Sequence, residues 1–118
     1  MRIINQTKNI VLAESAIIAD SPLKRMKGLL GRKEFNVGGA MVLSPCNSIH
    51  TFFMRFPIDV VFADKKYQIV EIKLCVKPFR ASGIYWRASF AIEFPAGTLS
   101  AEIVSLGDQL FFIDKNSN

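Results

Sequence analysis

Apolar and polar positions alternate along most of the chain over short runs, and the runs predict strands. Residues 2–6 and 9–19 (NIVLAESAIIA) are rich in β-branched side chains, with Thr7, Lys8 and Asn9 as a turn between them. They predict an N-terminal strand pair whose second member ends at Asp20, Ser21 and Pro22. From Ala40 onward further strands are predicted over residues 40–43, 48–54, 58–63, 68–76, 90–94 and 109–113. Asp64, Lys65 and Lys66 form the clearest hairpin turn, and Gly38 and Gly39 mark a loop of unusual backbone. Helical spacing enters in one place. Ser21 is suited to cap a helix and Pro22 to its first turn, Leu23, Met26 and Leu30 recur on one face, and Gly31 suits the stop. Pro95 and Gly97 break a strand, Thr98 can cap a short helical turn through Val104, and Gly107 and Asp108 turn the chain into the last strand. The sum is a mainly β fold, a compact barrel-like antiparallel or mixed sheet, closed or nearly so, with one or two short helices.

The chain has 118 residues, half of them hydrophobic and 21% charged. At this size folding removes roughly 65% of the unfolded surface, enough for one core without staples and too little for two. Residues 1–114 are expected to form that single domain and residues 115–118 a flexible tail. No apolar run approaches the ~20 residues that span a bilayer, and the N-terminus turns polar before a signal-peptide core could form, so a cytoplasmic protein is expected. Cys46 and Cys75 lack CxxC spacing and read as reduced thiols. The single histidine does not support a zinc site, and the run from Gly28 to Lys33 lacks the spacing of a phosphate loop, so no metal or other cofactor is expected. Fifteen basic against ten acidic residues give a net charge of +5. Lys24, Arg25, Lys27, Arg32 and Lys33 fall together with no acid among them. That patch reads either as a solvated helix face or as an electrostatic site for nucleic acid or another anionic surface.

Candidate chemistry centres on few residues. Cys46, His50 and Asp59 suggest a nucleophile system, but an extended 46–50 segment separates thiol and imidazole by ~13 Å. No catalytic residue is therefore assigned. Alternation puts Asp59 with Val61 and Ala63 on one face of its strand, and Glu93 with Ser89 and Ala91 on one face of its own. The opposite faces, Ile58, Val60, Phe62 and Phe90, Ile92, Phe94, are wholly apolar and are expected to form the core. Asp59 and Glu93 should then look outward or into a separate polar cavity, where His50, Arg55 and Arg80 would join them as a ligand site. The plain alternative is an ion-pair network of Asp59 or Glu93 with Arg55 or Arg80 that ties loops to the sheet. Phe52, Phe53 and Phe56 cannot all face one core from a strand. Phe53, and Tyr85 and Trp86 flanked by Arg80 and Arg87, suggest a partner-binding surface, or for the last group stacking on single-stranded nucleic acid, unless Trp86 plugs the barrel end.

Four separated blocks carry a resemblance. They are the run from Ser48 to Phe62 (SIHTFFMRFPIDVVF), Arg25 with Lys27 to Arg32, Leu74 to Arg80 (LCVKPFR), and Ile92 to Gly97 (IEFPAG) with Gly107 and Asp108. Together, in order over nearly the whole chain, they resemble the bacterial and archaeal family called domain of unknown function 192. The helix block departs from the family pattern in having Lys27 and Leu30. The resemblance implies a compact, mainly β, barrel-like fold and no established reaction. The residues themselves support a non-enzymatic module that presents segments 50–56 and 80–87 to a small ligand or a protein. The alternatives are a small enzyme using His50 with Asp59 or Glu93 as acid and base, and an electrostatic binder acting through residues 24–33. Oligomeric state is not legible.

Overall fold

The computed structural model describes residues 1–20, 35–52 and 54–114. Its strands are β1 (Arg2–Asn5), β2 (Ile10–Ala13), β3 (Ser15–Ala19), β4 (Gly39–Leu43), β5 (Ile58–Ala63), β6 (Ile69–Val76), β7 (Phe90–Pro95) and β8 (Leu110–Ile113). They make two sheets. The smaller runs β2-β1-β8, all antiparallel, and the larger runs β3-β4-β7-β5-β6, antiparallel except for the parallel pair β3 and β4.

The predicted single strand over 9–19 is two strands in different sheets. The chain turns the corner at Glu14, where the amides of Glu14 and Ser15 both donate to the carbonyl of Gly38, at 2.9 and 3.1 Å. Gly38 can aim that carbonyl because it adopts φ +83°, a conformation open to glycine. No proline or glycine interrupts 9–19, so the corner leaves no mark on local composition.

The mainly β reading holds, but the sheet is not closed into a barrel. The two sheets are instead joined at corners. Met1, just before β1, exchanges hydrogen bonds with Ala16 of β3, and an isolated bridge joins Gln68 to Gln109 beside β6 and β8. Of the two expected helices, that over 21–31 lies outside the described residues. The stretch 98–104 folds as turns, with the amides of Ile103 and Val104 both donating to the carbonyl of Ser100, and no helix forms among the described residues. The expected strand over 48–54 is an irregular segment with one bridge, His50 to Ala81.

Every residue of β5 and β7 is buried. The smaller sheet covers one face of this pair, where Val61, Ile92 and Phe94 meet Ile3, Leu12 and Leu110. The other face carries Val60, Phe62 and Ala91 and packs under Ile49, Met54 and Tyr85. The larger sheet thus has a core on each side, where the alternation argument expected one.

Asp108 ties the last turn to the first hairpin. Its Oδ2 accepts from Asn5 Nδ2 at 2.8 Å, Lys8 Nζ at 2.8 Å and the Ser105 amide at 2.9 Å. Burial pushes this carboxyl up, but the bonds from Lys8, Asn5 and Ser105 and the Lys8 charge outweigh it and hold the pKa below the usual value. A depressed folded pKa contributes stability above the ordinary carboxylate range, and that contribution disappears as pH falls through the folded value. Asp108→Ala is expected to lower unfolding free energy at pH 7 by about 2 kcal/mol. In urea titrations against pH, the difference from the parent should shrink on acidification.

Candidate functional site

Two loops lie over the second core of the larger sheet and run antiparallel to each other as a ribbon. The amide of Thr51 donates to Arg80 O at 2.8 Å and that of Phe79 to Thr51 O at 3.1 Å. Further along, Ser82 N donates to Ile49 O and Tyr85 N to Asn47 O, each at 2.9 Å. Loop backbone that covers a core must still satisfy its polar groups, and one side chain does much of this. Thr51, fully buried, donates its hydroxyl to Lys77 O at 2.6 Å and accepts from the Arg80 amide at 2.9 Å. Ser82 Oγ accepts from Ile49 N at 3.0 Å. Sequence reading missed Thr51, because its partners stand 26 and 29 residues away.

The expected ligand-site residues fall on three surfaces. His50, Arg55 and Arg80 are exposed on the ribbon. The His50 ring stacks on Phe52, with centroids 5.3 Å apart and planes at 26°. Asp59 and Glu93 are buried on opposite faces of the larger sheet, since the register pairs Asp59 with Phe94 and Val60 with Glu93. The expectation that both look outward or into one polar cavity is thus corrected: alternation within each strand was sound, but the pairing puts Asp59 with the Phe90, Ile92, Phe94 face and Glu93 with the Ile58, Val60, Phe62 face. Neither acid pairs with Arg55 or Arg80; the two ion pairs among the described residues are Arg2 with Glu14 and Lys8 with Asp108.

Asp59 has a structural task. Its Oδ1 accepts from Cys75 N at 2.8 Å, and its Oδ2 from Gly97 N and Leu99 N at 3.0 Å each. It therefore fastens β6 and the turn after β7 onto β5. Cys75 has φ 51°, disfavoured for a residue with a side chain, and the carboxylate helps hold it there; Gly97, at φ 89°, adopts such backbone without strain. Glu93 differs. Its backbone lies on the ladder between Met41 and Val60, but its carboxyl makes no hydrogen bond among the described residues, and burial alone raises its pKa from 4.5 to about 7.

Of the expected partner-binding residues, Phe53 lies outside the described residues. Tyr85 is half-buried: its ring packs on Phe62 at 4.8 Å, and Lys73 Nζ sits 5.8 Å from the ring centroid. Trp86 is 83% exposed, so it does not plug an end of the fold. Phe79 and Ile84, 61% and 54% exposed, share the segment. An open groove of about 550 Å³ runs between Ser44, Cys46, Lys65 and Ser89, where these loops meet the sheet beside the cis Ser44–Pro45 bond, and none of the expected site residues lines it. The basic residues 24–33 lie outside the described residues. No cluster of three metal-ligating side chains occurs among the described residues, and no helix there is long and apolar enough to cross a membrane.

Two packed sheets with a loop ribbon over the outer core define a small, mainly β class of domain. The chain belongs to the DUF192 family, described as Uncharacterized ACR, whose model matches residues 3–112. A UPF0127 protein of Pyrococcus horikoshii is 33% identical over 113 residues, covering 92% of this chain and 96% of that protein. One of Thermococcus sibiricus is 32% identical over 92% of this chain and 72% of its own length. Among solved structures, a protein of unknown function from Novosphingobium aromaticivorans superposes with a TM-score of 0.80 at 17% identity, covering 95% of this chain and 84% of that one. A protein from Sinorhizobium meliloti described as a putative transcription regulator superposes with a TM-score of 0.76 at 21% identity, covering 93% and 89%. At these identities the two structures establish the shared fold.

Two outcomes test this geometry. Thr51→Val keeps the shape but strands the Lys77 carbonyl and Arg80 amide, so thermal or urea unfolding should show a loss of about 2 kcal/mol. For Glu93 the sign is opposite to that for Asp108. With the folded pKa raised, its contribution is most favourable below pH 4.5, and stability falls as pH rises from 4.5 to about 7. The resulting penalty of about 3 kcal/mol persists at higher pH. Glu93→Gln should flatten that part of the stability profile and exceed the parent in stability above pH 7.

Proposed function

We propose that this chain is a non-enzymatic binding module whose working face is the ribbon of residues 46–57 and 77–88. The observation that carries this reading is the exposure of Trp86, Phe79 and Ile84 on a framework pinned by Thr51. Large apolar side chains in water are unremarkable singly, but grouped on rigid backbone they resemble the anchors that dominate interfaces, with little ordering cost on binding. The wider expectation of a ligand site at His50, Arg55, Asp59, Arg80 and Glu93 narrows in this proposal to the ribbon members His50, Arg55 and Arg80, with Tyr85 and Trp86 as partner contacts. Catalysis by His50 with Asp59 or Glu93 is less supported, because the carboxyls occupy opposite sheet faces and Asp59 is committed to three amides. The proposal treats residues 1–114 as the single working domain and the cytoplasm as its location, where Cys46 and Cys75, in no disulfide, would stay reduced.

A photo-crosslinking residue introduced in place of Ile84 tests the reading in cells that make the protein. The same residue in place of Phe111, 49% exposed on the other sheet, is the control. A discrete adduct is expected at position 84, absent at 111, and lost on Trp86→Ala while the melting temperature is unchanged. No adduct at 84, or the same adducts at both positions, would overturn the proposal.

A further inference from the structure

We infer that the ribbon docks single-stranded nucleic acid, through base stacking on its exposed rings and phosphate contacts to the cations between them. This rests on the ribbon being a binding face and adds the partner's chemistry. Charge is the first argument. From Ile72 to Ile92 there is no Asp or Glu, while Lys73, Lys77, Arg80 and Arg87 fall in that stretch; residues 44–58, the facing strip, also lack acids and contribute Arg55. Both ion pairs among the described residues lie elsewhere; Glu71 acts on Lys73 at longer range, while Lys77, Arg80, Arg87 and Arg55 form no ion pair with a described carboxylate. An anionic partner is the complementary one.

Ring placement adds to this. The bond from the Phe79 amide to Thr51 O brings Phe79 to the end of the ribbon that carries Phe52, on which the His50 ring stacks. The bond from Tyr85 N to Asn47 O puts Trp86 toward the other end of the ribbon. A strand of several nucleotides laid along the ribbon would meet both ends. Arg80 follows Phe79 in sequence, its guanidinium donating to Phe79 O at 3.3 Å, and Arg87 follows Trp86, so each end of the ribbon carries a ring and an arginine suited to phosphate. Stacking on such rings with cations along the backbone is the general mode for unpaired strands. A duplex keeps its bases stacked on each other and would leave the rings unused. A bilayer would favour an apolar patch free of charge, whereas Lys77, Arg80 and Arg87 interleave with these side chains.

Trp86 is the sole tryptophan and therefore reports on its own surroundings. The test titrates the full chain with oligo(dT) and oligo(U) of about twelve nucleotides, in the range of known single-strand site sizes, reading Trp86 fluorescence and oligonucleotide anisotropy. Saturable quenching at low salt is expected. By anisotropy, Trp86→Ala and Phe79→Ala should each weaken binding roughly five- to one-hundred-fold. Arg80→Gln and Arg87→Gln should each lower the slope of log affinity on log salt by about 0.7. Circular dichroism checks that each variant is folded. Three results would overturn the inference: no binding at low salt, binding kept in both ring variants but lost in Lys24→Glu with Arg25→Glu, or quenching by phosphatidylserine vesicles without binding to either oligonucleotide. A nuclease-resistant protein adduct at position 84 together with no oligonucleotide binding would sink this inference and leave the binding face standing; no adduct and no binding would remove both.

Discussion

Burial of β5 and β7 on both faces is the constraint from which the rest of the molecule follows. A strand with a core on each side has no solvent face on which to place a polar residue, so each carboxyl there must find a partner or lose its charge. The two acids in this pair illustrate both solutions. Asp59 meets three backbone amides, from Cys75, Gly97 and Leu99, and joins three pieces of chain. Glu93, with no such donors, takes up a proton near pH 7 instead. Similar residues on neighbouring strands thus have opposite linkage to pH because one face supplies donors and the other supplies methyl groups.

The second core also explains the ribbon. The smaller sheet can cover only one side of the larger one, so irregular chain must shield Val60 and Phe62 on the other. Irregular backbone carries no ladder of its own, and its amides and carbonyls have to be satisfied one at a time. Thr51 and Ser82 do so from side chains, linking segments that are far apart in sequence. The outcome is a loop layer with the hydrogen bonding of a sheet and the surface of a loop, on which large side chains can project without loosening the core.

Strand positions were legible because alternation and β-branching are local signals: residues 40–43, 58–63 and 90–94 match β4, β5 and most of β7. The Asp64 turn was legible for the same reason, its carboxylate accepting from Lys66 N and Gln68 N within the turn. What failed were properties of pairs. Whether Asp59 and Glu93 share a face depends on register between strands some thirty residues apart, which neither strand encodes alone. The same limit hid the corner at Glu14, made by the carbonyl of Gly38, and turned residues 48–54 into an expected strand. That segment has the composition of a strand, but the Met54 amide turns back onto Thr51 O and, among its described residues, His50 alone reaches a bridge.

The separation of charges links the interior to the surface. Had Asp59 or Glu93 been held by Arg55 or Arg80, the guanidinium groups would have been drawn onto the sheet and their charge spent there. Asp59 is satisfied by main-chain amides instead, and Glu93 sheds charge by protonation, so neither buried acid draws on the cations of the ribbon. The core therefore holds its acids without the surface, and the ribbon keeps its positive field. For the exposed rings this matters directly, because Phe79 and Trp86 each precede an arginine that forms no ion pair with a described carboxylate. A partner that supplies both negative charge and flat apolar surface would satisfy ring and cation together, and the rigid backbone beneath them would need little rearrangement to receive it.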